Sequence, residues 1–218
     1  MTLPSPYGNI LDGLSSSKEE KWGFVIYRCT YRDNQDWERF KAKVHRRTQE
    51  DMADSDVPEV ANFLEWTFVD DRESLEGASK DHLRACHKAW VAKAFRAQNP
   101  RALYDTSDSP RNRYFIQVDE EALQSVLSAP ECDMLGEGYV YFVDSQWEPM
   151  GEGEDEDEDE CEEDRETFDP IEGCAEENIG WMKIAAVMID ATWYDTSSGF
   201  AYGGWYAFYK RPPETVLY

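Results

Sequence analysis

Apolar and polar positions along this chain follow two periods. Trp22 to Tyr31, WGFVIYRCTY, is apolar almost throughout and rich in β-branched and aromatic side chains, as in a strand covered on both faces. After a turn at Asp33-Asn34, the residues Trp37, Phe40 and Val44 fall at i, i+3 and i+7. With Arg39, Lys43, Arg46 and Arg47 on the remaining surface, they predict a helix from Asp36 to about Met52. FLEWTFV at 63–69 predicts a second strand. Ser79 can cap a second helix running to about Gln98, with an apolar stripe of Leu83, Cys86, Trp90, Ala94 and Ala97. RYFIQV at 113–118 predicts a third strand and GYVYFV at 138–143 a fourth. Between them, 119–128 reads as a short helix with acids in its first turn, where the helix dipole favours them. WMKIAAVMI at 181–189 and WYAFYK at 205–210 predict two further strands, separated by a loop or hairpin.

Strands alternating with helices in this way predict one α+β domain over residues 22–218. Its sheet is expected to be mixed or antiparallel and covered by helices on one face, a ferredoxin-like core with additions. A doubly wound parallel sheet is the second reading, weakened because no Gly-rich turn follows the first strand. Residues 1–21, rich in Ser, Pro and Gly, predict a flexible leader. A disordered acidic insertion is expected at about 150–175. Its centre, EGEDEDEDECEEDRETFD at 152–169, sets thirteen acids against Arg165, a net of −12 out of −24 for the whole chain. Such a run cannot bury apolar area or offset its own repulsion.

Composition narrows the function classes. The 218 residues are 41% hydrophobic, with eight Trp and twelve Tyr, enough for a substantial core. Five cysteines, an odd number without CxxC spacing, argue for reduced thiols and a cytoplasmic protein. No apolar stretch suits a membrane span, and the start lacks a signal-peptide pattern. There is no GxGxxG, Walker A, HExxH or GxSxG, so no cofactor is expected. His82 and His87, five apart on a predicted helix, are rotated about 140° from each other, which argues against a shared metal, and none is expected.

Three groups of side chains could carry chemistry. Arg28, inside an apolar strand, needs a partner, because a lone buried charge is very costly. Glu65 and Lys183 stand similarly in other strands, and if those strands adjoin, Arg28, Glu65 and Lys183 form a candidate catalytic cluster. Asp70 and Asp71, at a strand end beside Glu73, could hold a cationic group such as a guanidinium, with Tyr27 and Tyr141 lining the substrate site. A turn and ordinary packing are the competing readings. From His82 to Tyr104 there is no acid, while Arg84, Lys88, Lys93, Arg96 and Arg101 add five positive charges. With Arg111 and Arg113 they form a candidate phosphate-binding surface interleaved with aromatic residues, set against the plainer reading of a solvated helix face.

The blocks WGFVIYRCTYRDNQDWERF, LEWTFVDDRESLEGASKDHLR and RYFIQVDEEAL resemble a large group of fungal proteins over most of residues 20–210, the acidic insertion excepted. The chain is also similar to the fungal arginine-containing cyclodipeptide synthases. That resemblance implies a secondary-metabolism enzyme joining arginine from its charged tRNA to a second amino acid as a cyclic dipeptide. It implies a basic surface for tRNA and a carboxylate-lined pocket for arginine. No catalytic residue follows from it. Two other classes stand beside it. One is a non-catalytic binding module whose acidic loop docks a basic partner or folds over the basic face. The other is a small-molecule enzyme of ferredoxin-like architecture that uses no nucleic acid.

Overall fold

The fold is assembled around Val25–Arg28 (β1), every residue of which is buried. The structure, a computed structural model, describes residues 5–53, 55–102, 108–149 and 168–217. Strand β1 lies between Thr67–Val69 (β2) and Tyr114–Val118 (β3), parallel to both. Tyr139–Asp144 (β4) runs antiparallel to β3, Trp181–Ala185 (β5) antiparallel to β4, and Thr215–Val216 (β6) parallel to β5. The order is β2-β1-β3-β4-β5-β6. The α+β class and the mixed, helix-covered sheet agree with the sequence pattern. In detail the arrangement departs from a ferredoxin-like core, because the first three strands are all parallel, joined by helical crossovers.

Register explains why the strands read as continuous apolar runs. Ile26, Ile116, Phe142 and Met182 stand opposite one another in one row and are fully buried. That face meets Asn34–Ala53 (α2), Glu120–Ser128 (α6) and Ala191–Ser197 (α7). Trp37 of α2 abuts Phe68, and Trp193 of α7 abuts Phe142. The next row, Tyr27, Gln117, Tyr141 and Lys183, points the other way, toward Lys80–Gln98 (α4). There His87 of α4 packs on Tyr27 and Phe115. Helices therefore cover both faces rather than one, which is why the strands read as nearly continuous apolar runs instead of alternating with polar residues.

Four local expectations change. Residues 6–17 form a helix, α1 (Pro6–Ser17), instead of a leader. Ser5 caps it through the Gly8 N–H, Pro6 sits in its first turn, and Ile10 and Leu14, one turn apart, are buried against the body. Of 63–69 only Thr67–Val69 is strand, following a 3-10 turn over Pro58–Phe63. The segment 190–204 contains α7, capped by Asp190. Residues Trp205–Phe208 form a helical turn (α8), and the last strand comes later, at 215–216. The remaining helical pieces are Arg72–Leu75 (α3) and Pro110–Arg113 (α5).

Helix α4 turns a different face inward from the stripe that hydrophobicity selects. Its buried residues are Lys80, Leu83, Arg84, His87, Val91 and Phe95, while Cys86, Trp90 and Ala94 are half-buried and Ala97 is exposed. Three of the six inward positions are basic or imidazole side chains, and each is satisfied by a partner after folding.

Candidate functional site

The structure separates the three residues expected in one catalytic cluster. Arg28, at the carboxyl end of β1, donates to Asp70 at 3.1 Å, to the Asn34 side chain at 2.6 Å and to the Thr30 carbonyl, with Tyr31 and Trp37 against its guanidinium. Glu65, just before β2, pairs with Arg111 and Lys21. Lys183 stands three strands from β1, over the Tyr139 ring at 3.9 Å and 3.7 Å from Glu121. Among the described residues no partner is common to the three. The expected guanidinium ligand of Asp70 is the protein's own Arg28, and Asp71 accepts from Ser74 Oγ at the start of α3. Tyr27 is buried against His87. Tyr141 lies between two ammonium groups, Lys80 at 4.7 Å and Lys183 at 5.8 Å from its ring. Tyr27, Tyr141 and Lys183 thus share one row of the sheet, beneath α4.

The expected basic surface is partly internal. Arg84 is buried, donating to the carbonyls of Asp144, Ile179 and Gly180 and pairing with Asp81. Arg111 is 1% exposed and Arg113 clasps Asp144 through Nε and Nη2. Lys88, Lys93, Arg96 and Arg101 remain at the surface. Lys88 faces Glu148 at 3.7 Å, and Arg96 donates to the Ala102 carbonyl. A hydrophobicity reading cannot separate these sets, because a guanidinium surrounded by carbonyls is as well satisfied inside as out. The acidic run, with Cys161 and Arg165, lies outside the described residues from 152 to 167.

Burial pushes the Cys29 thiol up to about 12, with the charge of Asp119 adding to the effect, so at neutral pH it is a packed, protonated thiol. Among the described residues no group of three or more His, Cys, Asp and Glu side chains is placed to hold a metal ion, and no helix is long and apolar enough to cross a membrane.

One concave site was hidden in the supposed leader. A cavity of about 470 Å³ opens between α1, α7 and the segment 108–110, with Ile10, Leu14 and Pro110 as its apolar surfaces. Glu19, Asp108 and Asp195 bring carboxylates to it, and no Lys or Arg lines it among the described residues. Glu19 is only 6% exposed and accepts from Ser109 Oγ at 3.0 Å. Asp195 accepts from Asn9 Nδ2 at 2.8 Å, a bond that orients it. Burial raises the Asp195 carboxyl above its ordinary range, and the Asn9 bond opposes that shift. Burial foremost, then the charge of Glu19, also raises the Tyr194 phenol, which remains a neutral hydroxyl. On the other side of Glu19 and Leu14 lies a second, open hollow of about 580 Å³, with Lys18 and Arg101 on its walls. Carboxylates backed by hydroxyls suit a ligand that carries positive charge and several N–H donors.

Comparison with protein-family models, with curated proteins and with solved structures returned no match.

Proposed function

We propose that this protein is an enzyme acting on an arginine-bearing substrate, and that it forms an arginine-containing cyclic dipeptide from aminoacyl-tRNA, as the synthases it resembles do. The observation that carries the reading is the cavity between α1 and α7, where Glu19 and Asp195 face a space that no Lys or Arg lines among the described residues, Arg111 acting on Glu19 from behind. A guanidinium can donate two parallel N–H bonds to one carboxylate and further bonds to hydroxyls such as those of Tyr194 and Ser198, while its aliphatic stem rests on Ile10 and Leu14. The neighbouring hollow, with Lys18 and Arg101, supports an approach for the phosphates of a charged tRNA beside that cavity. An aminoacyl ester is already activated, so amide formation from it needs no nucleotide-binding loop.

The deciding experiment is expression in a heterologous host, with mass spectrometry of the medium for arginine-containing diketopiperazines. Product from the wild-type chain, lost on Asp195→Asn or Glu19→Gln, supports the reading. No product from soluble, folded protein in cells with intact tRNA charging sinks it.

A second reading is a small-molecule enzyme that uses the same cavity without nucleic acid. The burial of Arg84 and Arg111 and the Asp144 pair that holds Arg113 favour it, because they engage three of the seven cations assigned to a tRNA surface. Titration with tRNA separates the two: binding that weakens steeply with salt supports the first, and none supports the second.

A further inference from the structure

We infer that the cavity between α1 and α7 reads a second positive charge, so that its ligand is a dication: a guanidino compound with a free ammonium group and no carboxylate, as in an ester or amide of arginine. The inference rests on the guanidinium reading of that cavity and adds to it the state of the ligand's other end. Exposure divides the wall in two. Ile10, Leu14, Glu19, Pro110 and Tyr194 are buried and form the floor, whereas Gly13, Asp108, Ser198 and Tyr202 are exposed and form the mouth. The floor carries a carboxylate with capacity to spare, since only Oε2 of Glu19 accepts a bond from a described residue, at 3.0 Å from Ser109 Oγ. Asp108 puts another negative charge at the mouth. Two cations reach these acids from outside the cavity, and both are engaged elsewhere. Arg111, which acts on Glu19, pairs with Glu65, and Arg113, which acts on Asp108, pairs with Asp144.

A guanidinium between Glu19 and Asp195 carries a single positive charge and leaves Asp108 unmatched. The cavity, about 470 Å³, holds far more than that group. With the ligand's stem on Ile10 and Leu14, its far end comes to the mouth. An ammonium there donates a charge-assisted bond to Asp108, whereas a carboxylate on the same carbon meets a like charge. Free arginine carries both groups and gains little. Esterification, amidation or loss of the carboxyl group leaves only the attraction. Gly13 gives the esterified or amidated end a way out. It stands inside helix α1, where a glycine costs about 1 kcal/mol relative to Ala. A Cβ there would meet no atom within 4 Å, so internal packing does not call for a glycine, and its missing side chain leaves the mouth open.

The full-length protein is titrated calorimetrically at about pH 6.5, where an α-amino group is protonated. Arginine methyl ester and agmatine are dications, N-acetylarginine methyl ester keeps only the guanidinium charge, and free arginine adds a carboxylate. The two dications are expected to bind about tenfold more tightly than the other two compounds, the worth of one charge-assisted contact. Asp108 is exposed, so Asp108→Asn should stay folded. It should erase the advantage of arginine methyl ester over its N-acetyl form and leave the N-acetyl form's affinity unchanged. Equal binding of those two esters by the wild type, free arginine binding as tightly as its ester, or an equal loss for both esters in Asp108→Asn overturns the proposal. If Asp195→Asn still weakens both esters in that case, the guanidinium reading of the cavity stands without it. No binding of any of the four compounds overturns both.

Discussion

Glu65 and Arg111 hold each other, Nη2 to Oε1 at 3.1 Å, at the amino-terminal end of the sheet. Arg111 spends its other N–H groups on the carbonyls of Gly23 and Glu65, on Thr67 Oγ1 and on Gln98 Oε1, and its guanidinium lies 5.2 Å from the Trp90 ring. One side chain thereby ties α5 to the approaches of β1 and β2 and to the end of α4. Burial lowers the Arg111 pKa and the charge of Glu65 partly opposes that, while the neutral carbonyl, hydroxyl and amide acceptors around the guanidinium satisfy most of its N–H groups. Replacing Arg111 by Ala strands several buried acceptors and should lower stability by about 3–5 kcal/mol. Glu65 is about one-third exposed, and Glu65→Gln should cost only about 1 kcal/mol. Urea titration reads both; a loss for Arg111→Ala no larger than for Glu65→Gln would contradict this assignment.

His87 makes stability depend on pH in a direction that can be stated. Nε2 lies 3.2 Å from the Asn112 carbonyl, which only accepts, so Nε2 carries the proton and Nδ1 accepts from the Tyr27 hydroxyl at 3.3 Å. Burial pushes the imidazole down to about 3. In the unfolded chain the same group titrates near 6.5. Above that value both states are neutral and nothing is lost. As pH falls from about 6.5 toward 3, the unfolded chain takes a proton that the folded one refuses, and stability drops by at most roughly 1.4 kcal/mol per pH unit. Between pH 6.5 and 5, where carboxylates contribute least, denaturant midpoints of the wild type should fall more steeply than those of His87→Gln. Equal slopes would show that His87 does not set this dependence.

The cavity should bind a guanidinium ligand more tightly as pH rises. Asp195 attracts a cation only when ionised, and burial has raised its carboxyl. For the free protein the sign runs the other way, because a raised carboxyl contributes stability that is lost as pH rises through the folded value. Calorimetry with arginine methyl ester from pH 4 to 7 should show affinity climbing and then levelling. Asp195→Asn should flatten that climb and weaken binding about tenfold at pH 7. Asn9→Ala, which removes the orienting bond, should fall between the two. An affinity indifferent to Asp195 would place the cation elsewhere.

Of the seven cations expected on a nucleic-acid surface, only the outward four can be reversed without unfolding the domain. Joint Lys93→Glu and Arg101→Glu should change stability by no more than about 0.5 kcal/mol per site. The same pair should weaken tRNA binding several-fold and reduce its salt slope, because each lost phosphate contact releases fewer counterions. Filter binding across a salt series checks both quantities. Unchanged affinity and slope in a folded variant would leave this stretch as a solvated helix face.

The sequence alone determined β1, α2, β3, α6 and β4, and with them the α+β class, because each element carries its own apolar period or cap within a short window. Trp37, Phe40 and Val44 on α2 are buried as their spacing requires. What the tertiary structure decided is where charge goes. Arg84 and Arg111 look like surface residues in the sequence, yet the first is absorbed by carbonyls about 60 and 95 positions away and the second by groups before β1 and around β2. Their partners are set by which strands adjoin and which helix crosses them, and no local pattern encodes that. The cavity is of the same kind. Ser17 and Glu19 are polar punctuation in a Ser-rich start until Ile10 and Leu14 dock α1 beside α7, which sets Glu19, Ser109 and Asp195 around one space. Burying those two apolar side chains is the physical event that turns a predicted leader into one wall of the candidate site.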